Sequence, residues 1–259
     1  MTDRMTAADS APCVLVFAGL DPSGGAGLAA DLLAIAAQGA HALPVATALT
    51  AQDNERVQAV APVDAAFVLR QAEAVAAVCD IRAVKIGIPG SLENASAIAA
   101  FLRRLRARNP QLPVVLDPVL ASGHGDALGT GSAGDVVAAV AELLTLATIA
   151  LPNAPELRRI SAPTGTQLLV TGGHDGGRFV TNRWYRDGAV VRRWRWPRLP
   201  GAFHGSGCTL AAALAARLAL GDDMPAALGS AQAYCHAALA QSYAIAPGQR
   251  IPRRFLPSE

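Results

Sequence analysis

The chain has 259 residues, of which 52% are hydrophobic and 16% charged, with a formal net charge of +2 at neutral pH. That composition excludes a disordered chain, and so small a net charge excludes a nucleic-acid or membrane partner held by electrostatics. The length suits one large α/β domain over residues 1–259, with 1–11 as a flexible tail.

Cys13, Cys79, Cys208 and Cys235 form no C-x-x-C pair and lie among apolar residues, as reduced thiols of a cytoplasmic protein do. No apolar stretch reaches the ~20 residues of a membrane span, because Arg217 interrupts the best candidate.

In chain order, short β-type runs alternate with alanine-rich helical ones. Residues 12–20 are apolar, but mixed charges at Asp3, Arg4 and Asp9 precede them and a glycine loop follows, so they read as a first strand and not as a signal segment. Buried strands are expected over 13–18, 43–49, 83–86, 114–116, 148–151 and 168–170. Helices are expected over 26–38, 65–78, 92–106 and 133–144. This alternation predicts a mainly parallel sheet flanked by helices on both faces, with ligands beyond the carboxyl ends of its strands.

Late in the chain the rhythm changes. Residues 178–185 and 189–194, joined through Arg186-Asp187-Gly188, read as a β-hairpin because Asp-Gly is a favoured two-residue turn. In Arg192-Arg193-Trp194-Arg195-Trp196, strand alternation puts both tryptophans on one face and Arg193 with Arg195 on the other. A solvated edge strand explains this better than a platform for stacking nucleic-acid bases. Residues 224–243 read as a last amphipathic helix.

The loops at the strand ends carry the candidate chemistry. Gly19-Leu20-Asp21-Pro22-Ser23-Gly24-Gly25-Ala26-Gly27 forms a backbone-lined cradle ahead of a helix that carries Asp31, and it does not match the dinucleotide fingerprint G-x-G-x-x-G. Asp117, and Asn153 with Glu156, place hard oxygen ligands suited to magnesium at two further strand ends. Asn153 and Glu156 also read as a helix cap closing a capping box. His204-Gly205-Ser206-Gly207-Cys208-Thr209 opens a helix, where free N–H groups and the helix dipole favour phosphate or a developing anion. Cys208 stands where that field is strongest, so its ionisation is favoured and it can accept a proton; the plainer alternative is a small hydrophobe in a tight turn.

Seven segments in this order resemble the hydroxymethylpyrimidine and phosphomethylpyrimidine kinases of thiamine biosynthesis, within the ribokinase-like superfamily. They are 18–27 with Asp31, 47–52, 84–87, 116–119, Pro152-Asn153 with Pro155-Glu156, Gly172-Gly173-His174, and 204–209. The resemblance covers nearly the whole chain and implies a ribokinase-like α/β fold. It also implies ATP-dependent phosphorylation of a hydroxymethylpyrimidine, its monophosphate or both, with magnesium, in a cytoplasmic homodimer. Gly19, Asp31, Gln52 and Ile88 would bind the pyrimidine, and Asn153, Thr171, Gly173 and His174 the nucleotide. Asp117 and Glu156 would hold the metal. The backbone of Gly205, Ser206, Gly207 and Cys208 would form the anion hole, and Cys208 would deprotonate the hydroxymethyl oxygen.

The chain departs from the family pattern in three places. Thr171 stands where lysine is usual, Ile88 where methionine is usual, and 160–167 is a shorter connection. Two other readings share these residues: a kinase of another heteroaromatic alcohol such as pyridoxal or pyridoxine, and a paralogue that binds pyrimidine or nucleotide without phosphoryl transfer.

Overall fold

The computed structural model describes residues 11–122, 125–126 and 128–255, so the expected tail lies, but for Ala11, outside the described residues. In chain order the elements are β1 Cys13–Leu20, α1 Gly27–Ala37, β2 His41–Gln52, β3 Val57–Pro62, α2 Ala65–Ala76, β4 Ile81–Ile86, α3 Leu92–Arg108 and β5 Val114–Leu116. They continue with α4 Ala133–Leu144, β6 Ile149–Ala150, α5 Ala154–Leu157, β7 Gln167–Val170, β8 Phe179–Arg186, β9 Ala189–Pro197, α6 Ser206–Ala219 and α7 Met224–Ala240.

Among the described residues, nine strands form one sheet in the order β3-β2-β1-β4-β5-β6-β7-β8-β9. From β2 across to β7 the neighbours are parallel, while β3, β8 and β9 add antiparallel strands at the two ends. Strand β1 explains why its sequence is continuously apolar: it is buried on both faces. Val14 and Val16 pack with Leu28, Ile35, Leu214 and Leu228 of α1, α6 and α7. Leu15 and Phe17 pack with Val68, Ile98, Leu102 and Leu143 of α2, α3 and α4. Helix α6 is buried continuously from Thr209 to Ala216, and its alanines let it lie against the sheet, α1 and α7 at once.

The expected strands and helices are present with shifted ends. The strand expected at 43–49 runs instead from His41 to Gln52 and pairs with β3, which the sequence reading did not contain. The last helix stops at Ala240, short of 243. At the hairpin, Asp187 (φ 51°) and Gly188 (φ 75°) both adopt the left-handed conformation that a tight two-residue turn requires. β9 is the sheet edge, with Arg193 and Arg195 exposed and Trp194 and Trp196 half-buried. Among the described residues no helix is long and apolar enough to cross a membrane.

Candidate active site

The carboxyl ends of the parallel strands surround a cavity of about 840 Å³, within the range of small-molecule sites. At one end lie Gly19, Gln52 and Ile88. β1 and β2 are sheet neighbours, so their ends bring Gly19 and Gln52 to one wall, and the loop after β4 adds Ile88. A Cβ on Gly19 would stand 2.7 Å from Ile88 Cδ1, so the glycine lets that side chain approach the backbone.

Two glycine turns meet back to back at the centre. Gly205 has φ +73°, and a Cβ there would stand 2.0 Å from Gly25 O. No other residue type fits that approach. The first turn is organised by Asp21, which is 2% exposed. It accepts from Ser23 N (2.8 Å), Ser23 Oγ (2.9 Å) and Ala26 N (2.7 Å). His204 Nε2 lies 2.7 Å from the same carboxylate and so joins the second turn to the first. Burial opposes the Asp21 charge, but hydrogen bonds from His204 and Ser23 outweigh it and hold the carboxyl below its usual range.

Helices α2, α3, α4, α5 and α7 carry a side-chain cap; α1 and α6 do not. The N-terminal turns of these two uncapped helices line the cavity through Gly27 and through Gly205 to Cys208. No N-cap side chain takes their first N–H groups, which stand on the positive ends of two helix dipoles as an anion requires, although the Gly27 backbone faces the Cys208 thiol.

Cys208 lies at the inner end of this turn, against Lys85, Asp117 and the Gly27 backbone. The expectation of favoured ionisation is corrected here. Burial pushes the thiol up to about 12, and the Lys85 charge only partly counters it. The thiol is protonated at neutral pH.

Asp31 is a second correction to the site expected from sequence. It does not line the cavity; it is fully buried beneath it, with Oδ2 2.7 Å from Lys85 Nζ. Burial raises the Asp31 carboxyl to about 6 against the pull of Lys85. Burial also works against the Lys85 charge, but the carboxylates of Asp31 and Asp117 beside it keep the ammonium protonated.

Asp117 and Glu156 do meet at the cavity. Asp117 is 5% exposed, and its Oδ2 has no hydrogen-bond partner. Burial raises Glu156 to about 8, and Asp117 adds to the rise. Asn153 and Glu156 also form the expected capping box: Asn153 N donates to Glu156 Oε2 and Glu156 N to Asn153 Oδ1, both at 2.8 Å. The cap and the cavity lining are two uses of the same pair.

At the far end Asn153 bridges to Thr171, and Gly173 and His174 continue the wall. Sequence reasoning missed the groups behind them. Gly172 N donates to Asn182 Oδ1 (3.0 Å), and Asn182 Nδ2 to Gln232 Oε1 (2.9 Å). The Trp196 ring stacks on His236 with centroids 5.2 Å apart. These residues come from β8, β9 and α7, and no local pattern marks their convergence. Lys85 stood within a matched segment, but nothing in sequence paired it with Asp31.

Comparison with known proteins agrees with this architecture. The family model described as Phosphomethylpyrimidine kinase matches residues 21–252. A Rhizobium meliloti protein named hydroxymethylpyrimidine/phosphomethylpyrimidine kinase is 38% identical over 254 residues, covering 91% of this chain and 93% of that one. The crystal structure of a phosphomethylpyrimidine kinase from Clostridium difficile superposes with a TM-score of 0.69 at 30% identity, over 86% of this chain and 97% of that one. A Staphylococcus aureus pyridoxal kinase in complex with AMP-PCP, 24% identical, shares the fold with a TM-score of 0.79 over 95% of this chain and 94% of its own. With the family model spanning the cavity from Asp21 to the helix after Gly205, the chain belongs to the phosphomethylpyrimidine kinase family.

Proposed function

We propose that this chain transfers the γ-phosphoryl group of ATP to the hydroxymethyl oxygen of a hydroxymethylpyrimidine, to the phosphate of its monophosphate, or to both in turn, for thiamine biosynthesis. The observation that carries the reading is one cavity holding an uncapped helix N-terminus, a thiol beside a buried ammonium, and a carboxylate with one oxygen lacking a hydrogen-bond partner. The pyrimidine ring lies against Gly19 and Ile88, and the Gln52 amide both donates to and accepts from its aminopyrimidine edge. The nucleotide occupies the opposite end, by Asn153, Thr171, Gly173 and His174. Between them the transferring group faces the N–H groups of Gly205 to Cys208, where the dipole of α6 favours its developing charge.

The oxygen of the alcohol attacks γ-phosphorus as the bond to the ADP oxygen breaks, and the hydroxyl proton goes to Cys208. The thiol must first lose its own proton to solvent, and Lys85 with the α6 dipole stabilises the thiolate. Asp31 serves from below by keeping Lys85 charged. Magnesium is commonly held by one or two carboxylates together with phosphates, and the orphaned Asp117 Oδ2 beside Glu156 fits that donor set. Bound there, the ion would neutralise charge on the transferring phosphates. The family resemblance also implies a cytoplasmic homodimer.

A coupled ATPase assay over a panel of pyrimidine and pyridoxine alcohols tests the reading. ADP should form in step with the pyrimidine alcohol. Faster turnover with pyridoxine would move the assignment to that substrate, and no turnover with any alcohol would leave a binding protein. Cys208→Ala should lower kcat by ~10²–10⁴ with little change in KM, the usual worth of a positioned acid or base. Unchanged turnover would reduce Cys208 to packing.

A further inference from the structure

Behind the central pair of glycine turns lies a cation that the site described above does not use. Arg254 belongs to the segment after α7, beyond the residue 252 at which the family match ends, and it is 2% exposed. Its Nε donates to Thr209 Oγ1 (3.0 Å), and a terminal nitrogen donates to Gly25 O (2.5 Å). The same nitrogen would stand 2.9 Å from a Cβ on Gly205. Thr209 Oγ1 in turn donates to Gly205 O (2.8 Å), so one guanidinium reaches both glycine turns.

The segment that delivers it is tied down along its length. His204 N donates to Arg250 O (3.0 Å), Arg250 N to Ala202 O (2.9 Å), and Tyr234 Oη to Arg254 O (2.8 Å). Among the described residues no carboxylate lies within ion-pair distance of Arg254. Asp31 acts on Arg254 only through space and is itself paired with Lys85, so the guanidinium has no ion pair of its own among the described residues. Such a buried charge is costly, and packing alone would be served better by an apolar side chain.

We propose that Arg254 is a positioning residue for phosphoryl transfer: it locks the Gly25 and Gly205 turns into one wall and holds a fixed positive charge behind the N–H groups of Gly205 to Cys208. The inference rests on the reading of that turn as the phosphoryl-transfer site. The charge of a loose transition state is spread over the transferring and leaving oxygens, and a fixed guanidinium behind the turn is aimed at that state, so the effect falls on kcat more than on KM for the pyrimidine.

Steady-state kinetics of the full chain carrying Arg254→Ala or Arg254→Lys test it, beside Cys208→Ala. For Arg254→Ala a kcat loss of ~10–100-fold is expected, below the ~10²–10³ of removing a direct anion-hole donor because Arg254 acts through the turn, with pyrimidine KM within about threefold of the parent. Methylguanidinium added to that variant should restore part of the turnover, and Arg254→Lys should fall between variant and parent. A folded Arg254→Ala protein with kcat within about threefold of the parent overturns the proposal. So does a loss confined to KM. If Arg254→Ala does not fold, Arg254→Lys decides: parental kcat overturns the proposal, and reduced kcat at parental KM supports it. No turnover of any alcohol by the parent chain would instead remove the reading of the turn and this proposal with it, whereas loss in Cys208→Ala with full turnover in Arg254→Ala removes only the role of Arg254.

Discussion

At Glu156 two demands fall on one carboxyl group, since it caps α5 through Asn153 and also lies beside Asp117 at the cavity. Burial and Asp117 lift it from 4.5 to about 8, so between those values the folded chain keeps a proton that the unfolded chain has released. Its contribution to stability is therefore complete below pH 4.5 and is lost as pH rises through about 8. The melting temperature of the metal-free protein should fall over that window, and Glu156→Gln should flatten the fall. An equal slope in both proteins would assign it to another group. Metal binding must displace the same proton, so magnesium affinity by calorimetry should weaken as pH drops below about 8 in the parent and not in the variant. The types and spacing of Asn153, Glu156 and Cys208 were readable along the chain. The shift of Cys208 was not, because the dipole of its own helix is a local property and the burial that overrides it comes from β4, β5 and α1.

The elements α1, α3 and α4 were readable because their helical length and alanine-rich composition are local signals. β3 was not: at the sheet edge its residues are half-buried or exposed without a regular alternation, and Val57-Gln58-Ala59-Val60 offers no strong apolar run. The loop after β4 shows how elements position the site beyond any local signal. Asn94, 1% exposed on α3, donates through Nδ2 to Thr47 O (3.1 Å), Val63 O (3.1 Å) and Pro89 O (3.0 Å). Thr47 Oγ1 donates to Ile88 O (2.6 Å), so this one amide and one hydroxyl set the loop that carries Ile88. Asn94→Asp would turn an acceptor toward carbonyl oxygens, with an expected loss of ~1–3 kcal/mol in denaturant unfolding. Pyrimidine KM should rise while kcat changes little; an unchanged KM would separate the loop from substrate binding.

Across the whole molecule, the ion pair of Asp31 on α1 with Lys85 on β4 joins a covering helix to the centre of the sheet. Both side chains are fully buried. Lys85→Met would strand the carboxylate and should cost ~3–5 kcal/mol, whereas Asp31→Leu with Lys85→Met should recover most of that loss. Denaturant unfolding of the two single variants and the double variant measures the coupling, and additive losses would show the pair to be independent. The alternation of short apolar runs with alanine-rich helices was enough to specify a parallel α/β sheet, because each element must bury its own apolar face. The turn residues at the strand ends were enough to place most of the cavity wall, because in such a sheet the loops at the carboxyl ends converge. Which buried charges face one another, where Asp31 points, how far burial raises Cys208 and Glu156, and that Arg254 reaches Gly25 across 229 positions depend on packing between distant segments. Desolvation and charge pairing are set by what lies within a few ångströms in space, and no local stretch of the chain contains that information.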